Sequence, residues 1–439
     1  MSTVTDTAPM AGLRIGPWEL VPGVRRAHFN ALLGASFFTI GLMTLIGNLQ
    51  PYFFNAVLNV PIREQGSLAG SLAAFNEVVF LVVASLVGAA SDKVGRRPIY
   101  AFGFVMMACA FVLYPLATAP GQLFGYRALF AVGAACVASM LSAVIADYAV
   151  ERGRGRLVGI CFFLNGIGVA LLVGVATGLP RWAESLGADA TQAARCSYWT
   201  AAAFCLAPFV IVGWGLQSGA PARVEAREPM LATLRVGLDA ARDPRVLLAY
   251  LSAMVSRGDL AVLSTFFLAW LTVHGIGEGL SAAEAQAAGR KFFVIAQIVA
   301  TFWALIVILF IDRFDRVLAV AISMVLAAGS YLAVGLIADP FGPGMYLASA
   351  AMGIGEMSGV LASQSLVGQV ASERGRGAII GMFSMFGAAG ILLTTSVGGM
   401  LFDSWRPSAP YILIGVADAV LAVIAFAVYF AMRRPKLRA

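Results

Sequence analysis

The sequence predicts an all-α membrane protein with twelve transmembrane helices in two pseudo-symmetric six-helix bundles. Three observations carry this expectation. Of the 439 residues, 60% are apolar and only 12% are charged. A soluble domain carries roughly a quarter charged residues, so this chain cannot cover itself with polar surface in water, and disorder is excluded for the same reason. The apolar residues come in continuous runs close to the ~20 that a spanning helix needs, not in the alternation of a transmembrane β-barrel. Finally, the runs fall into two halves around one long polar stretch.

Taken in order, each apolar run is bounded by polar or basic residues. Span 1 (29–54) follows Arg25-Arg26 and reaches Gln50-Pro51, where the proline can bend its far end. Span 2 (66–90) stops at a basic loop, and span 3 (99–117) begins beyond it. Span 4 (124–150) runs to Glu151-Arg152. Span 5 (156–179) lies between Arg156 and Arg181, and span 6 (197–216) follows Arg195. Residues 217–245 carry Pro221, Pro229 and Pro244 among alternating charges, which suits a linker or a helix lying on the membrane surface. Spans 7 to 12 then cover 246–273, 290–310, 317–337, 344–369, 377–402 and 409–432. The expected organisation is a mobile N-terminal tail (1–25), a first bundle (26–216), a linker (217–245), a second bundle (246–432) and a short tail (433–439).

The net charge of +7 would suggest nucleic acid in a soluble protein. Here the basic residues sit between apolar runs and read as topology signals. Of the 30 Lys and Arg, 22 fall in the tails, the linker and the loops on their side, and six in the opposite loops. That bias predicts both termini and the linker in the cytoplasm. Four of the five cysteines lie within apolar runs, so no disulfide framework or CxxC metal pair is expected. The polar N-terminus shows no short apolar core with a cleavage site, so no removable signal peptide is expected.

The halves are related by repetition. Glu151-Arg152-Gly153-Arg154-Gly155 returns as Glu373-Arg374-Gly375-Arg376-Gly377, and Gly133, Gly159 and Gly168 match Gly355, Gly381 and Gly390 at the same offset. Two matched halves are the mark of a duplicated transporter fold.

Between spans 2 and 3 the chain reads Gly88-Ala89-Ala90-Ser91-Asp92-Lys93-Val94-Gly95-Arg96-Arg97-Pro98. This resembles the signature loop of the major facilitator superfamily, G-x-x-x-D-[RK]-x-G-R-[RK], at every defined position. Arg127 and Gly133 resemble its weaker second motif, with Ala131 in place of a glycine. The likeness covers the whole chain. Gly88 allows close helix contact and Gly95 a tight turn. The resemblance implies a cytoplasmic latch, formed in the outward-open state, with Gly88, Asp92, Gly95, Arg96, Arg97, Asp147 and Arg152 as its residues. Asp312, Arg313 and Arg374 form a reduced second-half copy, which lacks the glycine and the double arginine.

Ionisable residues at membrane depth cost at least about 2.5–3.5 kcal/mol each, and usually face a cavity or a partner. Span 7 holds Arg257-Gly258-Asp259. Residues two apart on a straight helix lie roughly 200° apart, so either the two side chains face different neighbours or Gly258 marks a break. Span 10 holds Glu356 among Gly353, Gly355 and Gly359. The resemblance implies that helices 1, 4, 7 and 10 line a central cavity, where Arg257 or Asp259 would approach Glu356, and all three are candidate substrate- or proton-binding residues. Glu77, near the middle of span 2, has only Arg127 as a basic residue at depth in its own half, so it is a proton-carrier candidate. Asn48, Gln50 and Asn165 are candidate polar contacts for the substrate. Asp418, in span 12, is expected to bond helix to helix.

No HExxH, Walker loop or Ser-His-Asp set is visible, and no cofactor or metal is expected. The Gly-Pro element of span 5 that marks many drug antiporters is missing. The expected function is secondary transport of a small organic solute across a bacterial inner membrane by alternating access. Protons, or alternatively Na⁺, would drive it, with an organic anion or zwitterion favoured through Arg257. Proton-driven efflux of amphipathic compounds, and a receptor or assembly protein on a transporter scaffold, are the alternatives. The expected partners are the solute, protons and membrane lipid, without nucleic acid, and the chain is expected to act as a monomer.

Overall fold

The computed structural model describes residues 14–15, 18–150, 154–219, 230–310, 313–371 and 376–433. Twelve of its helices are long and apolar enough to cross a membrane. The first half contains α1 (Arg26–Ala56), α2 (Ile62–Val94), α3 (Arg96–Leu113), α4 (Gln122–Tyr148), α5 (Arg154–Ala176), the short α6 (Leu179–Ser185) and α7 (Ala190–Gly215). Within the expected linker lies α8 (Met230–Ala240). The second half contains α9 (Pro244–Gly277), α10 (Ala282–Phe310), α11 (Arg316–Leu336), α12 (Gly344–Val370), α13 (Arg376–Ser404) and α14 (Ala409–Arg433).

Local chemistry sets several boundaries. Asp189 caps α7 by accepting from the Gln192 N–H, and the Gln192 side chain accepts from the Asp189 N–H in return, a reciprocal capping box. Asp243 accepts from the Arg245 N–H, and Pro244 at the first helical position supplies a preset φ and no orphan donor. Asp315 caps α11 by accepting from the N–H groups of Val317 and Leu318. Gly95, with φ +98°, ends α2 and starts α3 in one residue, a conformation an L side chain rarely adopts.

The repeated glycines mark close helix approaches. A methyl group at Gly168 of α5 would overlap the Phe37 carbonyl oxygen of α1, and one at Gly390 of α13 would overlap the Met254 carbonyl oxygen of α9. Likewise a Cβ on Gly133 would come 2.6 Å from the Gly103 oxygen, and one on Gly355 would come 3.0 Å from the Leu326 oxygen. Corresponding helix pairs in the two bundles are thus joined at corresponding glycines, the small-residue packing that substitutes for a hydrophobic drive in lipid. Gly159 and Gly381 have open space instead, and nothing in the structure explains their match.

The N-terminal segment departs from the expected mobile tail. Strands β1 (Arg14–Ile15) and β2 (Trp18–Glu19) pair antiparallel, and Leu20 bridges to Ala149 past the end of α4. The Val21 N–H donates to the Tyr148 carbonyl (3.1 Å), and the Trp18 indole donates to the Arg156 carbonyl (3.3 Å). Leu20 and Val24 are buried. These contacts bind the segment to the end of the first bundle that carries the chain termini. In the linker, α8 is held by the Tyr250 hydroxyl, which donates to the Gly237 carbonyl (2.9 Å).

Candidate functional site

Apart from a ring contact between Phe163 of α5 and Phe302 of α10 (5.8 Å) on the terminal side of mid-helix, the two bundles meet in the half of the molecule away from the termini. There the Asp403 carboxylate, at the end of α13, accepts from the backbone N–H groups of Gly66 (2.8 Å) and Ser67 (2.6 Å) at the start of α2. A carboxylate of one bundle therefore binds the second turn of a helix of the other. Nearby, the Gln286 amide donates to the Asn48 carbonyl (2.7 Å) and Arg290 donates to the Gly174 carbonyl (3.1 Å). A Cβ on Gly47 would lie 2.8 Å from the Ser264 oxygen, so α1 and α9 touch backbone to backbone. These contacts between the bundles all lie in the same half, and they close the structure at that end.

Arg257 lies about 20 Å along α9 from its terminal-side start, and Glu77 about 25 Å along α2 from its terminal-side end. Each is the charged group the other senses, across the bundle interface. The Arg257 stem runs over Gly387 of α13, where a Cβ would come within 2.9 Å of its Cγ. Its side chain is solvent-accessible although surrounded by three helices, which is how a side chain in a cleft behaves. Glu77 has no basic partner at its depth in its own half; the folded chain supplies one from the other half.

α9 is unbroken through Gly258, so Asp259 turns to the opposite side. It enters the core of the second bundle and meets Asp418 of α14 and Glu356 of α12. Tyr331 of α11 faces all three carboxyls. Asp259 and Asp418 are 0% exposed and Glu356 is 1% exposed. No donor reaches either oxygen of Asp259 or Asp418, or Glu356 Oε2, and the Tyr331 hydroxyl is also unpartnered. Two carboxylates about 4 Å apart repel by about 4 kcal/mol at an effective dielectric constant near 20, before any desolvation cost. Without a counter-cation, the cluster must hold protons. The aspartates are within hydrogen-bonding reach of each other, and two acceptor-only groups make that contact only through a shared proton.

The first bundle holds the opposite charge. Arg127 is 7% exposed, lies 5.5 Å from the Phe130 ring centroid and senses Tyr114 and Tyr198, whose rings stack at 5.2 Å. Gln50 donates to the Tyr114 hydroxyl, so it belongs to this core and not to the cleft. The Asn48 amide donates to the Thr44 carbonyl (2.8 Å), while Asn48 Oδ1 and Asn165 Oδ1 have no donor. An apolar crevice between α9, α13 and α14, lined by Val255, Thr394 and Ile414 among others, carries no charge.

The signature loop is assembled at the terminal end. Arg96 bridges Asp92 (2.8 Å) and Asp147 (3.0 Å), and also donates to the Ser91 hydroxyl. It thereby ties α2, α3 and α4 into one corner. The neighbouring Gly88 lies on the last turns of α2. Arg97 forms no ion pair among the described residues. Arg152, Asp312 and Arg374 lie outside the described residues. Arg313 is exposed just before α11, and Asp315, close to the expected second-half copy, is the helix cap. Sequence reasoning missed Asp403, Gln286 and Arg290 at the seam, and the joining of Tyr331 and Asp418 to the acidic cluster.

A helical membrane protein of two bundles, closed over a charged cleft at one end, is built as a transporter of the alternating-access class. The profile of the Major Facilitator Superfamily matches residues 31–340 and 292–439, and the chain belongs to that superfamily: it is a multi-pass membrane transporter, not an enzyme. Magnetosome protein MamH of Paramagnetospirillum magneticum is 28% identical over 412 residues, 92% of each chain. Citrate exporter 1 of Aspergillus niger is 34% identical over 103 residues, 23% of this chain and 20% of that protein. Among solved structures, a mutant form of the nucleoside transporter NupG superposes with TM-score 0.74 at 17% identity, over 91% of this chain and 99% of that one.

Proposed function

We propose that the chain moves a small organic anion or zwitterion across a bacterial inner membrane, coupled to protons, with both termini cytoplasmic. The observation that carries this reading is Arg257, accessible in the cleft with Glu77 of the other bundle as the charge it senses, the two forming no ion pair within 4 Å. An arginine facing solvent from within a membrane protein offers a planar fork that fits a carboxylate or phosphate. The solute anion and the Glu77 carboxylate compete for that one cation. Protonation of Glu77 frees Arg257 for the solute, and return of the ionised carboxyl helps to expel it. The local likeness to a protein named as a citrate exporter supports an anionic solute. With the termini cytoplasmic, closure at the far end corresponds to the inward-facing state.

The test is a thermal-shift screen of the purified protein against organic acids and lipophilic cations, followed by transport of the best hit in proteoliposomes. A ligand of the folded state raises apparent stability by mass action. An acid hit whose affinity falls roughly tenfold or more in Arg257→Lys supports the reading, since one charge-assisted hydrogen bond is worth about 1.5–3 kcal/mol. Glu77→Gln should retain solute exchange and lose accumulation driven by a pH gradient. A lipophilic cation hit, unaffected by Arg257→Lys, would replace this proposal with drug efflux. The likeness to a protein named for the magnetosome, over nearly the whole chain, favours an assembly role as second reading. That role predicts that Arg257→Ala and Glu77→Gln leave the cellular phenotype intact.

A further inference from the structure

The transport reading leaves three buried acids unused. Asp259, Glu356 and Asp418 come from three different helices and converge with Tyr331 from a fourth. A bond between two helices needs two polar groups; here four meet, and at least six of their oxygen atoms have no hydrogen-bond partner. The titratable groups facing the cluster are Glu356 from α12, Asp418 and Tyr411 from α14, and Tyr331 from α11. Helices α10 and α13 bring none within reach, and Arg257 of α9 faces away. No basic side chain is among the charged groups that these acids sense. Among the described residues, no three acidic, histidine or cysteine side chains are grouped to hold a metal ion. Acceptor-rich, cation-free and without metal-binding spacing, this set has one fitting ligand, the proton. The Tyr331 hydroxyl, 0% exposed and without a partner, senses all three acids.

We propose that Asp259, Asp418 and Glu356, closed over by Tyr331, form a second proton-binding site inside the C-terminal bundle, loaded separately from Glu77. The proposal rests on the transport reading and deepens it by adding a coupling site behind the cleft. The link between the two is α9. Arg257 and Asp259 are two residues apart on one unbroken helix and face opposite ways, so a solute at Arg257 and a proton at Asp259 both bias the position of the same element. Coupling of two ligands through one movable element is reciprocal.

The test is infrared difference spectroscopy of the full-length protein in lipid nanodiscs, titrated from about pH 5 to about pH 9, with and without Na⁺. The expected result is a carbonyl band of protonated carboxyl that appears and disappears reversibly. It should weaken in Asp418→Asn and in Asp259→Asn, and persist in Glu77→Gln and Arg257→Lys. Tyr331→Phe, which removes one hydroxyl and keeps the packing, should move its midpoint. A band present at every pH would show a permanently neutral structural cluster and overturn the proposal. A band displaced by Na⁺ at fixed pH would also overturn it, in favour of a metal-cation site. Because the readout needs no solute, it can succeed where the anion reading fails, and the reverse.

Discussion

Asp403→Asn should weaken the closed end of the transporter. The carboxylate accepts two backbone N–H groups in the second turn of α2, at 2.8 and 2.6 Å. Alternating access requires this end to open, so both bonds must break in the opposite state. Asparagine keeps the shape and one acceptor but turns an NH₂ toward the second N–H. The loss is about one charge-assisted hydrogen bond, ~1.5–3 kcal/mol. The half-buried position argues for the low end, about 2 kcal/mol, or roughly 30-fold in the closed-to-open ratio. Thr395 reports on the seam, because it is 0% exposed and packs where Gly70 of α2 approaches α13. In a background without the five native cysteines, a Thr395→Cys probe should react with a maleimide roughly 30-fold faster when Asp403→Asn is added, as expected for labelling through a pre-equilibrium. An equal rate in the two backgrounds would show that the carboxylate does not contribute to closure. A fall in thermal stability with an unchanged rate would assign Asp403 to folding alone.

Other perturbations test other parts of the structure. Asp92→Asn removes one of the two acids that hold Arg96 and should slow cycling while leaving solute affinity within about twofold, since the partly exposed pair is worth only ~1 kcal/mol; a selective loss of affinity would contradict the latch role. Gly390→Ala should lower stability by about 1–3 kcal/mol through overpacking against Met254, whereas Gly381→Ala, with open space around it, should be neutral in the same thermal-unfolding assay. Asp243→Ala should cost about 1 kcal/mol as the lost cap of α9. Arg245 hydrogen-bonds the Asp243 carboxyl and holds it below the usual carboxylate range, so this stabilisation is present above about pH 4 and is lost as pH falls through the lower folded value. Wild type and variant should therefore converge in acid, and a gap that persists there would mean the effect is not the carboxylate's.

The fold was legible because lipid imposes it. Span count follows from apolar run length, and the two halves follow from repeated strings that survive in the loops. Of the repeated glycines, Gly133, Gly168, Gly355 and Gly390 sit where helices approach closely, while Gly159 and Gly381 do not. The signature loop pointed to Asp92, Arg96 and Asp147 for a local reason: they lie near chain turns at one end. Partners at depth were harder to read. Glu77 and Arg257 are 180 positions apart, in different bundles, and only the packing of α2 against α9 and α13 puts them face to face. Asp403 looked like an ordinary loop acid because its partners are backbone groups, which leave no mark in a sequence. The N-terminal segment was misjudged since polar composition does not show that Leu20 and Val24 have a surface to cover.

The two bundles share a plan but not a charge. Corresponding helices build a polar core in each: α1, α4 and α7 with the turn after α3 surround Arg127, and α9, α11, α12 and α14 surround the three acids. In the first, the spare atoms include the donors Arg127 Nε and Nη1 and the Tyr198 hydroxyl, beside the amide acceptors Asn48, Asn76 and Asn165 Oδ1 elsewhere in the bundle. In the second, most of the spare atoms are acceptors. Duplication alone would have given both cores the same chemistry. Each core costs several kcal/mol of desolvation that an apolar pair would avoid, so stability does not account for keeping them. The difference falls across the interface between the bundles, and Arg257 and Glu77 sense each other across it with the signs exchanged: the cation comes from the acidic bundle and the acid from the cationic one. A cleft pair of that polarity attracts the bundles when both are ionised. On the transport reading proposed above, it would release them when Glu77 is neutral or when a solute anion takes Arg257. Neutralising either partner should therefore shift the inward–outward equilibrium in the same direction, and the double variant Glu77→Gln with Arg257→Gln should add little to either single change.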